Sequence, residues 1–193
     1  MADKEAATSD AELDEHGLVI HRYESTILVL VPANGYAETT LRYARSALFN
    51  VHVGTTTVSS NDEDLIVGDM QDELQADGKL SEAKMEDHAG VLVVGGPGSL
   101  EMAENPDARR LVAEAAAQDK LIGAWGQGVS LLAAAGVVAK KKVTGDPAAK
   151  SALEKAGARY TGTQLQRDGK LVTAFDDAAG FRFGKALVQV VAI

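Results

Sequence analysis

Cysteine is absent from all 193 residues. Its absence excludes disulfides, thiolate metal sites and thiol nucleophiles. Positive charge is short as well: 19 Lys and Arg face 28 Asp and Glu, for a net charge of −9. A phosphate backbone needs a basic face, so nucleic acid is not an expected partner. No run approaches the roughly 20 apolar residues that span a bilayer, and no membrane association is expected. The opening residues, Met-Ala-Asp-Lys-Glu, lack the basic and apolar regions of a secretory signal, so a cytoplasmic protein is the expectation. Four histidines are scattered without a ligand spacing such as His-x-x-x-His, so neither a metal nor another cofactor is expected. Internal repeats and interior linkers are missing too. That reads as one domain over residues 23–193 behind an acidic, flexible arm over residues 1–22.

What is present is a soluble, core-forming composition, 46% hydrophobic and 24% charged. Thr26 to Val31 is a continuous, largely β-branched run ended by Pro32. Such a run predicts a strand covered on both faces, as in a parallel sheet. A helix is predicted from Glu38 to Leu48, with Leu41, Ala44 and Leu48 on one stripe. Val51–Val58 and Gly90–Val94 read as further strands. The stretch from Leu65 to Leu80 reads as short edge strands around the Ala-Asp-Gly turn at 76–78. Asn105-Pro106 opens a helix running to Gln118, with proline at its first position. Ala148–Lys155 and Phe181–Val191 are predicted helices, and an Arg-Asp-Gly-Lys turn at 167–170 predicts a hairpin. Strands alternating with helices give an α/β class with a mainly parallel sheet.

The most informative stretch is 121–138, Leu-Ile-Gly-Ala-Trp-Gly-Gln-Gly-Val-Ser-Leu-Leu-Ala-Ala-Ala-Gly-Val-Val. It predicts a buried strand, a sharp glycine-walled turn and an Ala/Leu helix, the frame of a nucleophile elbow. Gly126 stands at the apex, where such a frame carries Ser or Cys. A plain tight crossover between strand and helix is the alternative reading of this spacing. Ser130 lies inside the helix, where a solvated or back-bonded serine is commoner than a nucleophile. Gly95-Gly96-Pro97-Gly98 ends a neighbouring strand and could offer backbone N–H groups as an oxyanion nest. It matches neither a phosphate loop nor a dinucleotide fingerprint. Trp125 either joins the core or projects over the apex and plugs it.

Val91–Gly96, the turn at 121–128, the run at 131–144 and Ala33-Asn34-Gly35-Tyr36 resemble the ThiJ/PfpI superfamily. So do Asp168–Thr173 followed by the last helix. That group includes the parkinsonism-associated deglycase/chaperone and PfpI-type intracellular proteases. The resemblance covers about residues 25–192. It implies a flavodoxin-like three-layer sandwich, class I glutamine-amidotransferase-like, with a small β-hairpin, usually assembled as a homodimer or higher homo-oligomer. The family's Ala-x-Cys-His-Gly elbow reads Ala124-Trp125-Gly126-Gln127-Gly128 here. Its first-loop glutamates fall at Ala37 and Thr40, with Glu38 between them. Its Ser-Arg-Gly-Pro is replaced by Ala174-Phe175-Asp176-Asp177.

Nucleophile, neighbouring imidazole and partner acid are therefore all lost, at Gly126, Gln127 and Thr40. The resulting expectation is a non-catalytic homologue with a degenerate elbow and no cysteine-dependent protease, deglycase or amidotransferase activity. It would bind a small-molecule ligand at Gly95, Gly96, Gly126, Gln127, Gly128, Glu38 and Asp176, or act as a scaffold in an oligomer. The alternative is a cysteine-independent hydratase or lyase that activates water with Glu38 or Asp176.

Overall fold

A computed structural model describes residues 23–60 and 65–191; the proposed arm at 1–22 lies outside them. In chain order the elements are β1 (Ser25–Val31), α1 (Glu38–Phe49), β2 (Val53–Ser59), β3 (Leu65–Val67), β4 (Glu73–Gln75) and β5 (Gly78–Lys79). Next come β6 (Gly90–Val93), α2 (Ser99–Met102), α3 (Pro106–Ala117), β7 (Leu121–Trp125) and α4 (Val129–Ala134). The chain ends with β8 (Lys142–Val143), α5 (Lys150–Lys155), β9 (Arg159–Tyr160), β10 (Leu165–Asp168), β11 (Leu171–Ala174) and α6 (Gly180–Val191).

Seven strands form one sheet in the order β10-β11-β7-β6-β1-β2-β5. All neighbours in it are parallel except the β10–β11 hairpin. The α/β flavodoxin-like sandwich expected from the sequence is thus the observed fold.

The continuous apolar runs have a simple cause. Along β1, Ile27, Val29 and Val31 pack on the α1/α6 side, while Leu28 and Leu30 pack on the α3/α4 side. Both faces are covered, so neither can be polar. The same alternation puts Ile122 and Ala124 of β7 on one side and Leu121 and Trp125 on the other.

The topology also locates the crevice. After β1 the chain crosses through α1 to β2, and after β6 it crosses through α2 and α3 to β7 in the opposite direction. The loops leaving β1 and β6 therefore diverge, and ligands of open α/β sheets bind outside such a switch point. Those loops carry Gly35 and Gly96, and the neighbouring strand β7 ends at Trp125, directly before Gly126.

Two local predictions need revision. The turn at 68–72, not the Ala-Asp-Gly at 76–78, joins the antiparallel pair β3–β4. Residues 78–79 instead add a short parallel edge to β2. The cause is tertiary: the 68–72 turn is held by a carboxylate from α1, as described next.

Candidate functional site

β7 ends in a full elbow backbone. Trp125 is extended, Gly126 turns to φ +55°, and a 3-10 turn at Gly126–Gly128 leads directly into α4. A Cβ placed on Gly126 would meet no atom within 4 Å. The apex thus has the positive φ of a nucleophile elbow and open space in the direction a side chain would take. Gly128 sits where a Cβ would come 2.9 Å from the carbonyl oxygens of Val93 and Val94, so helix and strand nearly touch behind the apex.

Gly95 and Gly96 form the adjacent wall. Gly96 has φ +114°, and a Cβ there would overlap the Gly35 carbonyl oxygen. Only glycine combines that backbone conformation with so close an approach. The Ala37 N–H donates to the Gly95 carbonyl at 2.8 Å, which binds the first loop to this wall.

Trp125 does not lie over the apex. Its ring is fully buried on the α1/α6 side, edge-on to Phe183 with centroids 5.3 Å apart. Strand alternation causes this, since Trp125 takes the same side of β7 as Leu121, opposite Ile122 and Ala124. Tyr36 is buried too, and its hydroxyl reaches the Asp72 carbonyl at 3.4 Å. Burial, and then the nearby Glu38 and Asp72, push the Tyr36 phenol above its usual range.

The side chains named around the first loop are committed to the backbone. Glu38 Oε1 accepts from the N–H groups of Met70 at 2.9 Å and Asp72 at 3.0 Å, so it closes the β3–β4 turn. Glu38 also borders a cleft of about 220 Å³ shared with Tyr36, Arg42, Arg45 and Asp72. Thr40 donates its hydroxyl to the Asp177 carbonyl at 2.7 Å and accepts from the Gly180 N–H at 3.1 Å. Asp177 in turn accepts from the N–H groups of Thr39 and Thr40 at 2.9 and 2.8 Å. The α1 N-cap residue, Ala37, has no capping side chain. A carboxylate about 140 positions away in the chain therefore caps this helix. Asp176 caps its own 3-10 turn through the Ala178 N–H at 2.9 Å.

Three buried polar atoms among the described residues have no hydrogen-bond partner: Glu38 Oε2, Trp125 Nε1 and Gln127 Oε1. Two of the three belong to the residues that flank Gly126.

Sequence reasoning missed Asp146. Its N–H donates to the Gly126 carbonyl at 3.1 Å, and its half-buried side chain caps the turn at Pro147–Ala149 through the Ala148 N–H. The Asp-Pro pair is a legible cap signal, but its neighbourhood to residue 126 is a product of the fold. No group of three His, Cys, Asp or Glu among the described residues could hold a metal ion. Nor is any described helix long and apolar enough to cross a membrane.

Residues 25–190 match the DJ-1/PfpI family. The chain belongs to that family. Among solved structures, a ThiJ/PfpI domain protein from Brachyspira murdochii superposes with a TM-score of 0.82 at 20% identity. It pairs 86% of this chain with 96% of its own. A two-domain protein of Anabaena variabilis, with DJ-1/ThiJ/PfpI-like and ferritin-like domains, gives 0.81 at 26% identity, over 88% of this chain and 48% of that one. Schizosaccharomyces pombe DJ-1 gives 0.77 at 21% identity, over 87% and 92%. No curated protein matches the sequence. As a member of the DJ-1/PfpI family, this chain keeps the elbow backbone without the thiol that the family elbow carries.

Proposed function

We propose that the chain is a non-catalytic DJ-1/PfpI-family protein that binds a small ligand or acts as a scaffold within a homodimer or higher homo-oligomer. Gly126 carries this reading: it has elbow geometry at φ +55°, open space beyond it and no side chain. A nucleophile needs a reacting atom and a base to activate it. Neither a thiol nor a neighbouring imidazole is available, since cysteine is absent and residue 127 is glutamine. On this reading residues 23–193 act as one domain. Gly95, Gly96, Gly126, Gln127 and Gly128 line the ligand niche, which takes a small polar group in the space of the lost side chain.

Bond partners weigh against the alternative, a hydratase or lyase using Glu38 or Asp176. Each of these carboxylates accepts backbone N–H bonds that tie it to a structural turn. The test is direct. Purified protein is incubated with methylglyoxal and, separately, with a peptide substrate, beside a heat-killed control. No turnover above the control is the expected result, and turnover overturns the non-catalytic reading.

A further inference from the structure

The cleft beside Glu38 holds charges that the fold does not use up. It opens between α1 and the β3–β4 pair, with a volume of about 220 Å³, and none of its described lining residues belongs to the elbow or its glycine wall. Its charged residues are Glu38, Arg42, Arg45, Asp72 and Glu73. Arg42 and Asp72 pair with each other. That leaves two carboxylates and one guanidinium.

Arg45 is half-buried and braced by two hydroxyls of β2: Nε donates to Thr55 at 3.2 Å and Nη2 to Thr57 at 3.0 Å. Neutral hydroxyls hold the guanidinium in place without neutralising it, and among the described residues no carboxylate pairs with it. The rest of its donor fork is left for a carboxylate. Glu38 is 4% exposed. Its Oε1 is taken by the N–H groups of Met70 and Asp72, while Oε2 has no donor. Buried polar atoms without partners are rare in folded proteins, and this one belongs to a residue of the cleft wall. Glu73, beside Asp72 on β4, is exposed and makes no ion pair among the described residues. Glu38 and Arg45 stand seven residues apart, two helical turns, and so share one face of α1. From Thr55 to Thr57 the Arg45 side chain follows β2, which runs opposite to α1 and therefore towards Glu38. Leu41, between them on the helix, and Leu74 add apolar wall.

We infer that this cleft binds a small zwitterion of the amino acid class, with its carboxylate on the Arg45 guanidinium and its ammonium between Glu38 and Glu73. A carboxylate alone would leave both acids without a partner, and an amine alone would leave the guanidinium so. A metal ion fits poorly, since no group of three His, Cys, Asp or Glu among the described residues could hold one. The volume suits one small molecule, below the about 300 Å³ at which drug-sized pockets begin. Oε2 itself is buried, so the ammonium reaches it through the side-chain adjustment that commonly accompanies binding. This site is independent of whether the elbow binds a ligand.

Amide NMR of the full chain is the test, with the common α-amino acids, β-alanine and 4-aminobutyrate titrated singly to about 10 mM, enough to fill a site of millimolar Kd. At least one of them should shift the amides of Glu38, Arg45 and Glu73 and leave Gln127 and Gly128 unmoved. The analogues of that compound lacking the ammonium or the carboxylate should each bind at least about tenfold more weakly, as befits loss of a charge-assisted hydrogen bond. Arg45→Gln and Glu73→Gln should weaken binding by a similar factor. Glu38→Gln keeps a side-chain oxygen for the Met70 and Asp72 N–H groups while replacing the free acceptor with a donor. Binding should fall while amide exchange at Met70 and Asp72 stays slow. Should that turn loosen instead, Arg45→Gln and Glu73→Gln decide the matter. The inference is overturned if none of the compounds shifts the cleft amides, if Arg45→Gln and Glu73→Gln leave the affinity unchanged, or if a singly charged analogue binds as tightly as the zwitterion.

Discussion

The elbow at the end of β7 and the first loop at the start of α1 have diverged in opposite ways. At the elbow the backbone kept its positive φ and its open apex, while the side chains that would use them are gone. At the first loop the polar side chains serve the backbone. Glu38 holds the β3–β4 turn, Asp177 caps α1, and the Thr40 hydroxyl joins the α1 start to the α6 start. The contrast teaches that loss of chemistry has different costs at the two places. A glycine apex relieves strain and can persist. Buried N–H groups need partners, so the acids that bond them serve as structural groups.

The sharpest way to break the comparison is Gly96→Ala, in the wall between the two regions. It combines positive φ with overlap on the Gly35 carbonyl, so a loss of about 3 kcal/mol or more is expected in urea unfolding. Asp177→Ala follows, at about 2 kcal/mol, because it strips the α1 cap and leaves two N–H groups without an acceptor. Its loss should appear as faster amide exchange at Thr39 and Thr40. For Glu38→Ala the expected cost is about 1–2 kcal/mol, with exchange accelerated at Met70 and Asp72 and unchanged around the elbow.

The elbow itself should tolerate change. Gly126→Cys places a side chain in open space at the price of about 1 kcal/mol for left-handed backbone. The variant should fold and react stoichiometrically with a thiol reagent. Unfolding, or a thiol inaccessible to the reagent, would show that the apex is not open.

The smallest effect lies far from both regions. His88 is half-buried, with Nδ1 2.7 Å from the Thr26 hydroxyl, and burial lowers its pKa from the usual 6.5. Asp87 opposes this shift and Lys120 adds to it. The unfolded chain therefore takes up a proton before the folded one does. Stability from this group is complete above about pH 6.5 and declines as pH falls below it. A thermal-melting series across that range should show a shallower pH dependence for His88→Gln than for the parent.

The fold was largely readable from the sequence because its physical causes are local or periodic. A β-branched run such as Thr26–Val31 has few other uses, and Asn105-Pro106 announces a helix start through its cap: Asn105 Oδ1 accepts from the Asp107 and Ala108 N–H groups. The hairpin at 165–174 followed from its Asp-Gly turn. The β3–β4 turn was misread because what holds it is the Glu38 carboxylate, about thirty residues away. At the site, the glycines of the elbow and of its wall were legible, since close approach restricts the residue type itself. The roles of Glu38, Thr40 and Asp176 were not, because a carboxylate or a hydroxyl carries no mark of whether it will meet solvent, ligand or a backbone N–H.

Residue type alone determined that no thiol chemistry is possible here and that the sheet is mainly parallel and covered on both faces. Only tertiary structure decided that Gly126 sits at an elbow, that its apex is open, that Trp125 packs in the core and that Asp146 is tied to Gly126. The physical reason is range: periodicity and glycine strain act over a few residues, whereas hydrogen-bond partners and surface charge are assigned by which distant segments the sheet brings together.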